Sequence, residues 1–193
     1  AVTDELTRNQ YLTAEHQRVV SSTLLHTARF AYNRTHLLGA NRFLLPIAPA
    51  LAYIPGRPLG TTIIGGIGEW GSERRFPLRF LRNLFSFSDD VAYFKGRHSL
   101  RAGALVQRFQ DNIITAFNPD GTFAFPSVLD FLQARPDRFE TASAGSMFDR
   151  AWRQWLFGFY LQDDFKLLPH LTLNLGLRYE FVSTIQEALG REN

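Results

Sequence analysis

Between Leu171 and Phe181 every odd position (Leu171, Leu173, Leu175, Leu177, Tyr179, Phe181) is large and apolar, and every even one (Thr172, Asn174, Gly176, Arg178, Glu180) is polar or glycine. A period of two puts successive side chains on opposite sides of an extended chain, so this run predicts a strand with one greasy and one polar face. The alternation recurs in five other segments: Asn9 to Val20, Leu24 to Asn33, Leu81 to Tyr93, His98 to Gln110 and Trp155 to Phe165. The six come in pairs, joined by short connections at Ser21 to Thr23, Phe94 to Arg97 and Lys166 to His170, with Gly96 and Pro169 as turn residues. Each pair predicts a β-hairpin, at about 9–33, 81–110 and 155–182.

Between the hairpins the chain runs without alternation over about 34–80 and 111–154, far longer than ordinary connections. One short helix is predicted there, near 127–134 in "PSVLDFLQARP", where Ser127 can cap, Asp130 can close a capping box and Pro136 stops the helix. The remainder is rich in Gly and Pro and predicts irregular loops. The hairpin also repeats: "FSFSDDVAYFKGRHSLRAG" and "FYLQDDFKLLPHLTLNLG" share an aromatic strand, Asp-Asp, a turn, apolar alternation and Gly.

Parity assigns the faces. Phe85, Phe87, Val91 and Tyr93 share one side of the third segment, and Phe157, Phe159, Leu161 and Phe165 share one side of the fifth, opposite Gly158, Tyr160, Gln162 and Asp164. Leu100, Ala102, Ala104 and Val106 oppose Ser99, Arg101, Gly103 and Gln107, with Leu105 and Phe109 breaking the rule. Such strands suit either a soluble sandwich or small barrel that binds a small apolar ligand, or a transmembrane barrel with its greasy face in lipid. Strands of ten to thirteen residues, short turns at one end, long loops at the other and aromatics near strand ends favour the membrane. The side chains expected to face lipid are Phe85, Phe87, Val91, Leu100, Val106, Phe159, Leu161, Leu171, Leu173, Leu175, Leu177 and Tyr179. Asp90 and Asp164 fall on the lumen parity. Asp89 and Asp163 fall on the greasy one, close to the turns, and are expected either among headgroups or turned inward by a bulge.

Composition removes other classes. Hydrophobic residues make up 45% of the 193, weighted toward 18 Phe, 6 Tyr and 3 Trp, which favours strands. There is no Cys, so no disulfide framework, thiolate metal site or thiol nucleophile. The formal charge is +3, carried mostly by scattered Arg, which does not point to nucleic acid. The longest apolar run, "FLLPIAPALAYIP", is broken by Pro46, Pro49 and Pro55, so no membrane-crossing helix is expected. The chain opens "AVTDELTRNQ" without a targeting pattern and reads as a mature chain or a fragment. "GIGEWG" at 66–71 matches a dinucleotide pattern, but "SERRFPLRF" follows it with no helical period, so it reads as a glycine-rich surface loop. The five histidines lack ligand spacing and no nucleophile elbow is present; no catalytic residue, metal site or cofactor is nominated. Trp70, Arg74, Arg75, Arg135 and Arg138 could touch an anionic or sugar ligand from the loops, although solvated charges and one packed aromatic explain them as well.

"FSFSDDVAYFKGRHSLRAG", "PSVLDFLQARPDRF", "GFYLQDDFKLLPHLTLNLGLRYEF" and, earlier, "TLLHTARFAYNRTH" resemble the barrel of TonB-dependent outer-membrane receptors, in the branch with a carboxypeptidase-regulatory-like N-terminal domain. The resemblance implies an all-β antiparallel meander of about six long strands, an open part of a transmembrane barrel that closes with about twenty-two. It implies two long extracellular loops, no plug among residues 1–193, and a role as barrel wall and loops in energy-coupled nutrient uptake at the bacterial outer membrane. Its partners would be outer-membrane lipid, the remainder of the barrel with its plug, the TonB complex and a substrate of unspecified class.

Overall fold

The computed structural model describes residues 1–143 and 145–191, so one position of the second long connection lies outside the described residues. The elements in chain order are β1 (Val2–Ser21), β2 (Leu24–Arg42), β3 (Thr61–Ile64), β4 (Gly68–Gly71), β5 (Leu78–Lys95), β6 (His98–Ile114), β7 (Thr122–Phe125), α1 (Val128–Leu132), β8 (Arg138–Glu140), β9 (Asp149–Leu168), β10 (Leu171–Val182) and β11 (Gln186–Glu187), with a 3-10 turn at Pro49–Leu51. They fall into two compact units. One, the loop unit, comprises Ala1–Arg8, His36–Phe80 and Asn112–Arg150; the other, the wall, comprises Asn9–Thr35, Leu81–Asp111 and the chain from Ala151 onward.

The long strands form an antiparallel meander in the order β1-β2-β5-β6-β9-β10, and β11 adds to β9. All three predicted hairpins are present, each with a two-residue turn, at 22–23, 96–97 and 169–170. Away from the turns the strands outrun the sequence expectation. β1 starts at Val2 rather than Asn9, β2 continues to Arg42, β5 begins at Leu78, β6 reaches Ile114 and β9 begins at Asp149. The reason is physical: "VTDELTR" at 2–8 pairs through its backbone, but with polar groups on both sides it leaves no alternation to read. Strands of 17 to 20 residues far exceed the 9 to 11 that cross a bilayer.

β10 also goes on, after an interruption. Val182 pairs with Leu156 and Gln186 with Arg153, so four residues advance on one strand against three on the other, which defines a one-residue bulge. Ser183 fills it: its Oγ accepts from Trp155 N at 3.0 Å and its own N–H donates to Trp155 O at 2.8 Å. Past the bulge the Glu187 carboxylate is buried and accepts from the backbone N–H groups of Ala151, Leu189 and Arg191 at 2.6 to 2.8 Å, which anchors β11 to β9.

The loop unit overturns the expectation of irregular loops. Segments from both long connections build a four-stranded sheet, β4-β3-β7-β8, in which β3 and β7 are parallel (Thr61 opposite Thr122, Ile64 opposite Phe125) and the outer pairs antiparallel. Four-residue strands carry too little pattern to stand out, and a parallel partner sixty positions away leaves no local signal. "GIGEWG" lies in this sheet as the turn and second strand of the β3–β4 hairpin. α1 forms where expected, with Ser127 Oγ accepting from Asp130 N at 3.1 Å.

Candidate functional site

The wall offers two faces, and the interior strand β9 separates them. Phe159 and Leu161 are exposed, whereas Gly158 is buried and Tyr160, Gln162 and Asp164 are half-buried. Of the twelve side chains expected in lipid, Phe87, Phe159, Leu161, Leu171, Leu173, Leu175, Leu177 and Tyr179 are exposed, while Phe85, Val91, Leu100 and Val106 are half-buried. On β10, an edge strand among the described residues, both parities are exposed, so exposure there does not discriminate. Aromatics of the greasy parity meet across strands: Phe30 with Phe87 at 4.9 Å, Tyr32 with Phe85 at 5.0 Å and Phe157 with Phe181 at 5.0 Å between ring centres. Among the described residues the buried hydrophobic side chains are Ile64, Phe76, Ala116, Ala124 and Ala151, of which the wall holds only Ala151. A soluble sandwich would instead bury its greasy face.

The opposite parity carries a polar ladder. Arg29 Nε donates to Glu15 Oε2 at 2.5 Å, Arg29 Nη1 to Asp90 Oδ2 at 3.1 Å, and Tyr160 Oη to Asp90 Oδ1 at 2.7 Å. One connected set of side chains thus runs from β1 to β9. It passes over β6 at Gly103, where a Cβ would lie 2.4 Å from Asp90 Oδ1 and 2.4 Å from a Tyr160 ring carbon. Only glycine leaves room for the Tyr160–Asp90 bond. Gln107 Nε2 donating to Ser86 Oγ at 3.3 Å adds a rung on the same parity.

The repeated Asp-Asp splits its work between faces. The second acids, Asp90 and Asp164, take lumen-parity bonds, from Tyr160 and Arg29 and from Gln162 respectively. The first acids stay on the greasy parity and each meets a histidine of the neighbouring hairpin. Asp89 lies 2.9 Å from His26 Nε2, and Asp163 lies 2.6 Å from His98 Nδ1, whose ring stacks on Phe165 at 4.5 Å. Asp163 Oδ1 is buried with no partner among the described residues. No inward-turning bulge is needed, and the two histidines had offered no sequence signal because their partners lie more than sixty positions away.

The loop unit is organised around polar groups. Thr61, Thr62, Ser72, Asn118, Asp120 and Thr122 are all buried. Asn118, in the left-handed region at φ 51°, is the hub: its N–H donates to Arg74 O at 2.8 Å, its Nδ2 to Glu140 Oε2 at 2.9 Å, and its Oδ1 accepts from Thr122 Oγ1 at 2.8 Å. This residue therefore ties the two long connections together. They cross closely at Gly60, where a Cβ would lie 2.2 Å from Gly121 O. Asp120 beside them has its carboxyl pushed above the usual 3.8 by burial, partly offset by Arg57 and the Ser72 hydroxyl.

Aromatic rings run along this sheet: Trp70 meets Phe131 at 5.7 Å, Phe131 meets Phe125 at 5.2 Å, and Phe123 meets Tyr53 at 4.9 Å and Phe139 at 4.4 Å. Trp70, Phe131 and Phe139 remain exposed. The loop arginines do not converge. Arg74 pairs with Glu69 at 3.6 Å and lies over Phe117, Arg75 pairs with Glu73 at 3.0 Å, Arg138 pairs with Glu140 at 3.3 Å, and Arg135 is exposed near α1. An open apolar cavity of about 790 Å³ is formed by the proline-rich segment 43–59, with Leu44, Leu45, Ile47 and Leu59 in its lining. Among the described residues no group of three or more acids and histidines could hold a metal ion.

A family model described as an outer membrane beta barrel domain matches residues 1–193. Neither a curated protein nor a solved structure matches the chain.

Proposed function

The chain belongs to the outer membrane beta barrel domain family of the bacterial outer membrane, and on that premise we propose that it is wall and extracellular loops of a TonB-dependent receptor for energy-coupled nutrient uptake. The observation that carries this reading is the pair of unpartnered sheet edges. β1 and β10 end the meander among the described residues, lipid does not tolerate open edges, and eight strands is the practical minimum for closure. Six strands of this length therefore call for further strands of a larger barrel. The repeated Asp-Asp hairpins and "PSVLDFLQARPDRF" resemble the receptor barrels in particular. The greasy parity then faces lipid, the Glu15–Arg29–Asp90–Tyr160 ladder faces the lumen, and the loop unit presents Trp70, Phe131 and Phe139 to a substrate outside the cell.

The test is a fractionation immunoblot with an antibody against the peptide 118–138, with and without formaldehyde crosslinking in cells. An outer-membrane band far heavier than 22 kDa that shifts on boiling, and a crosslinked species that also carries TonB, supports the reading. A heat-modifiable band that never crosslinks to TonB keeps the barrel and removes the receptor assignment. A soluble band near 22 kDa removes both.

A further inference from the structure

The turn end of the wall carries a charge pattern that neither the alternation nor barrel closure requires. Segments 16–27, 92–100 and 165–173, which contain the three hairpin turns, hold Arg18, Lys95, Arg97 and Lys166 and not one Asp or Glu. Both lysines of the chain are here, in a protein that otherwise uses arginine for every cation. Four of its five histidines (His16, His26, His98, His170) lie in the same segments. The nearest acids do not neutralise this rim. Asp90 points to the face opposite Lys95 and is held by Tyr160 and Arg29. Asp164 shares the polar parity with Lys166 but accepts from Gln162 and forms no ion pair with that lysine among the described residues, and Asp89 and Asp163 are already held by His26 and His98.

The turns are also joined sideways. Phe94 N donates to Thr23 O at 2.8 Å, Lys166 N to Arg97 O at 2.9 Å, and Arg97 Nη1 to Leu167 O at 3.1 Å. Arg97 and Lys166 are thus neighbours across adjoining hairpins, with Lys95 on the other side of the same turn. All three side chains are exposed. Exposed apolar groups flank them: Val19, Val20, Phe94, Leu167, Leu168 and Leu171. A greasy band bordered by long cationic chains suits the boundary where acyl chains meet headgroups, because such side chains bury their stems and leave their charge at the phosphates. Lysine serves a phosphate as a compact point charge.

We infer that this rim binds the phosphate groups of anionic phospholipids in the leaflet on the turn side. The inference rests on the outer-membrane barrel orientation proposed above, with short turns toward the periplasm. Each cation near an anionic surface favours it by about fivefold, so three adjoining ones give a preference that survives partial screening.

The experiment uses the protein purified from outer membranes in mild detergent and first checked for a mobility shift on boiling. It is placed in nanodiscs of equal phosphatidylglycerol and phosphatidylcholine, and the lipids it retains on detergent stripping are counted by mass spectrometry. We expect phosphatidylglycerol to be retained at least about fivefold over phosphatidylcholine. K95Q/R97Q/K166Q should fall to near parity, while charge-preserving K95R/K166R and the loop variant R135Q/R138Q keep the preference. A heat-modifiable protein with no preference, or a triple variant that keeps it, overturns the rim and leaves the barrel. Loss of the preference on adding millimolar inorganic phosphate, at constant ionic strength, identifies a free-anion site and also overturns the lipid assignment. A sample that does not shift on boiling overturns the barrel reading itself.

Discussion

The wall and the loop unit are held together in opposite ways. The wall buries almost nothing apolar: its greasy side chains stand exposed or half-buried on one face, and its order comes from backbone ladders and from polar side chains linked across the other. The loop unit buries Ile64 and Phe76, but its crossings are fixed by polar bonds between segments far apart in sequence, from Thr61 N to Gly121 O and from Asn118 to Arg74 O and the Glu140 carboxylate. The difference follows from the surroundings. A sheet in lipid gains from displaying apolar groups and needs every backbone group paired, whereas a small unit in water must bury what it can and satisfy every polar group it encloses.

The largest expected effect breaks the wall at its greasy face. Leu175→Arg, at mid-strand, should cost about 2 to 4 kcal/mol if that parity meets lipid, against about 1 kcal/mol or less for Asn174→Arg one residue away. Urea titration of the barrel folded into vesicles reads both, and equal effects would erase the face assignment. Next comes the hub of the loop unit. Asn118→Ala removes the acceptor of Thr122 and the donor to Glu140, leaving buried polar groups unpaired at about 1 to 3 kcal/mol. Faster proteolysis of the long connections with an unchanged boiling shift is expected; a lost boiling shift would mean that wall and loops do not fold independently.

Gly103→Ala tests the ladder. The new methyl displaces Tyr160 or Asp90, at about 1 to 3 kcal/mol, and in a Tyr160→Phe background the added cost of Gly103→Ala should shrink, since the bond it breaks is already gone. Additive effects in that cycle would disprove the coupling. The smallest effect is a pH dependence confined to the loop unit. Burial raises the Asp120 pKa above its unfolded value, so the folded state holds more protons in the window just above 3.8, and stability falls as pH rises through it. Asp120→Asn should flatten that part of a proteolysis-versus-pH profile; a profile unchanged by the substitution would show that another group sets it.

The same contrast explains what could be read from the chain. Leu171 to Phe181 announces its strand and faces because every side chain answers to one of two different solvents. Ser127, Asp130 and Pro136 mark α1 because capping is local. The β3–β7 pairing was invisible, since Thr61 to Ile64 shows only that it is strand-like and its partner lies across two hairpin strands. The strand extensions at 2–8 and 36–42 carry no two-residue period, the first because it is polar on both sides and the second because it packs Gly39 against Phe76 and bonds Asn41 to Glu73 within the loop unit. The histidines opposite Asp89 and Asp163, like Gly103 beneath Tyr160, are choices of neighbouring strands, and only the strand order reveals them.

The bulge at Ser183 acts on the C-terminal strand as a frameshift acts on a message. Before it, odd numbers lie opposite the outward positions of β9; after it, even ones do, with Gln186 against Arg153 and Glu187 against Trp152. Glu187 thereby reaches the inward phase that its odd number would deny it, and there its carboxylate gathers three backbone N–H groups. A cysteine scan along this strand should therefore change the phase of its lipid-accessible labels at Ser183. Any strand that pairs onto its free edge must either copy the extra residue or lose its ladder at that level.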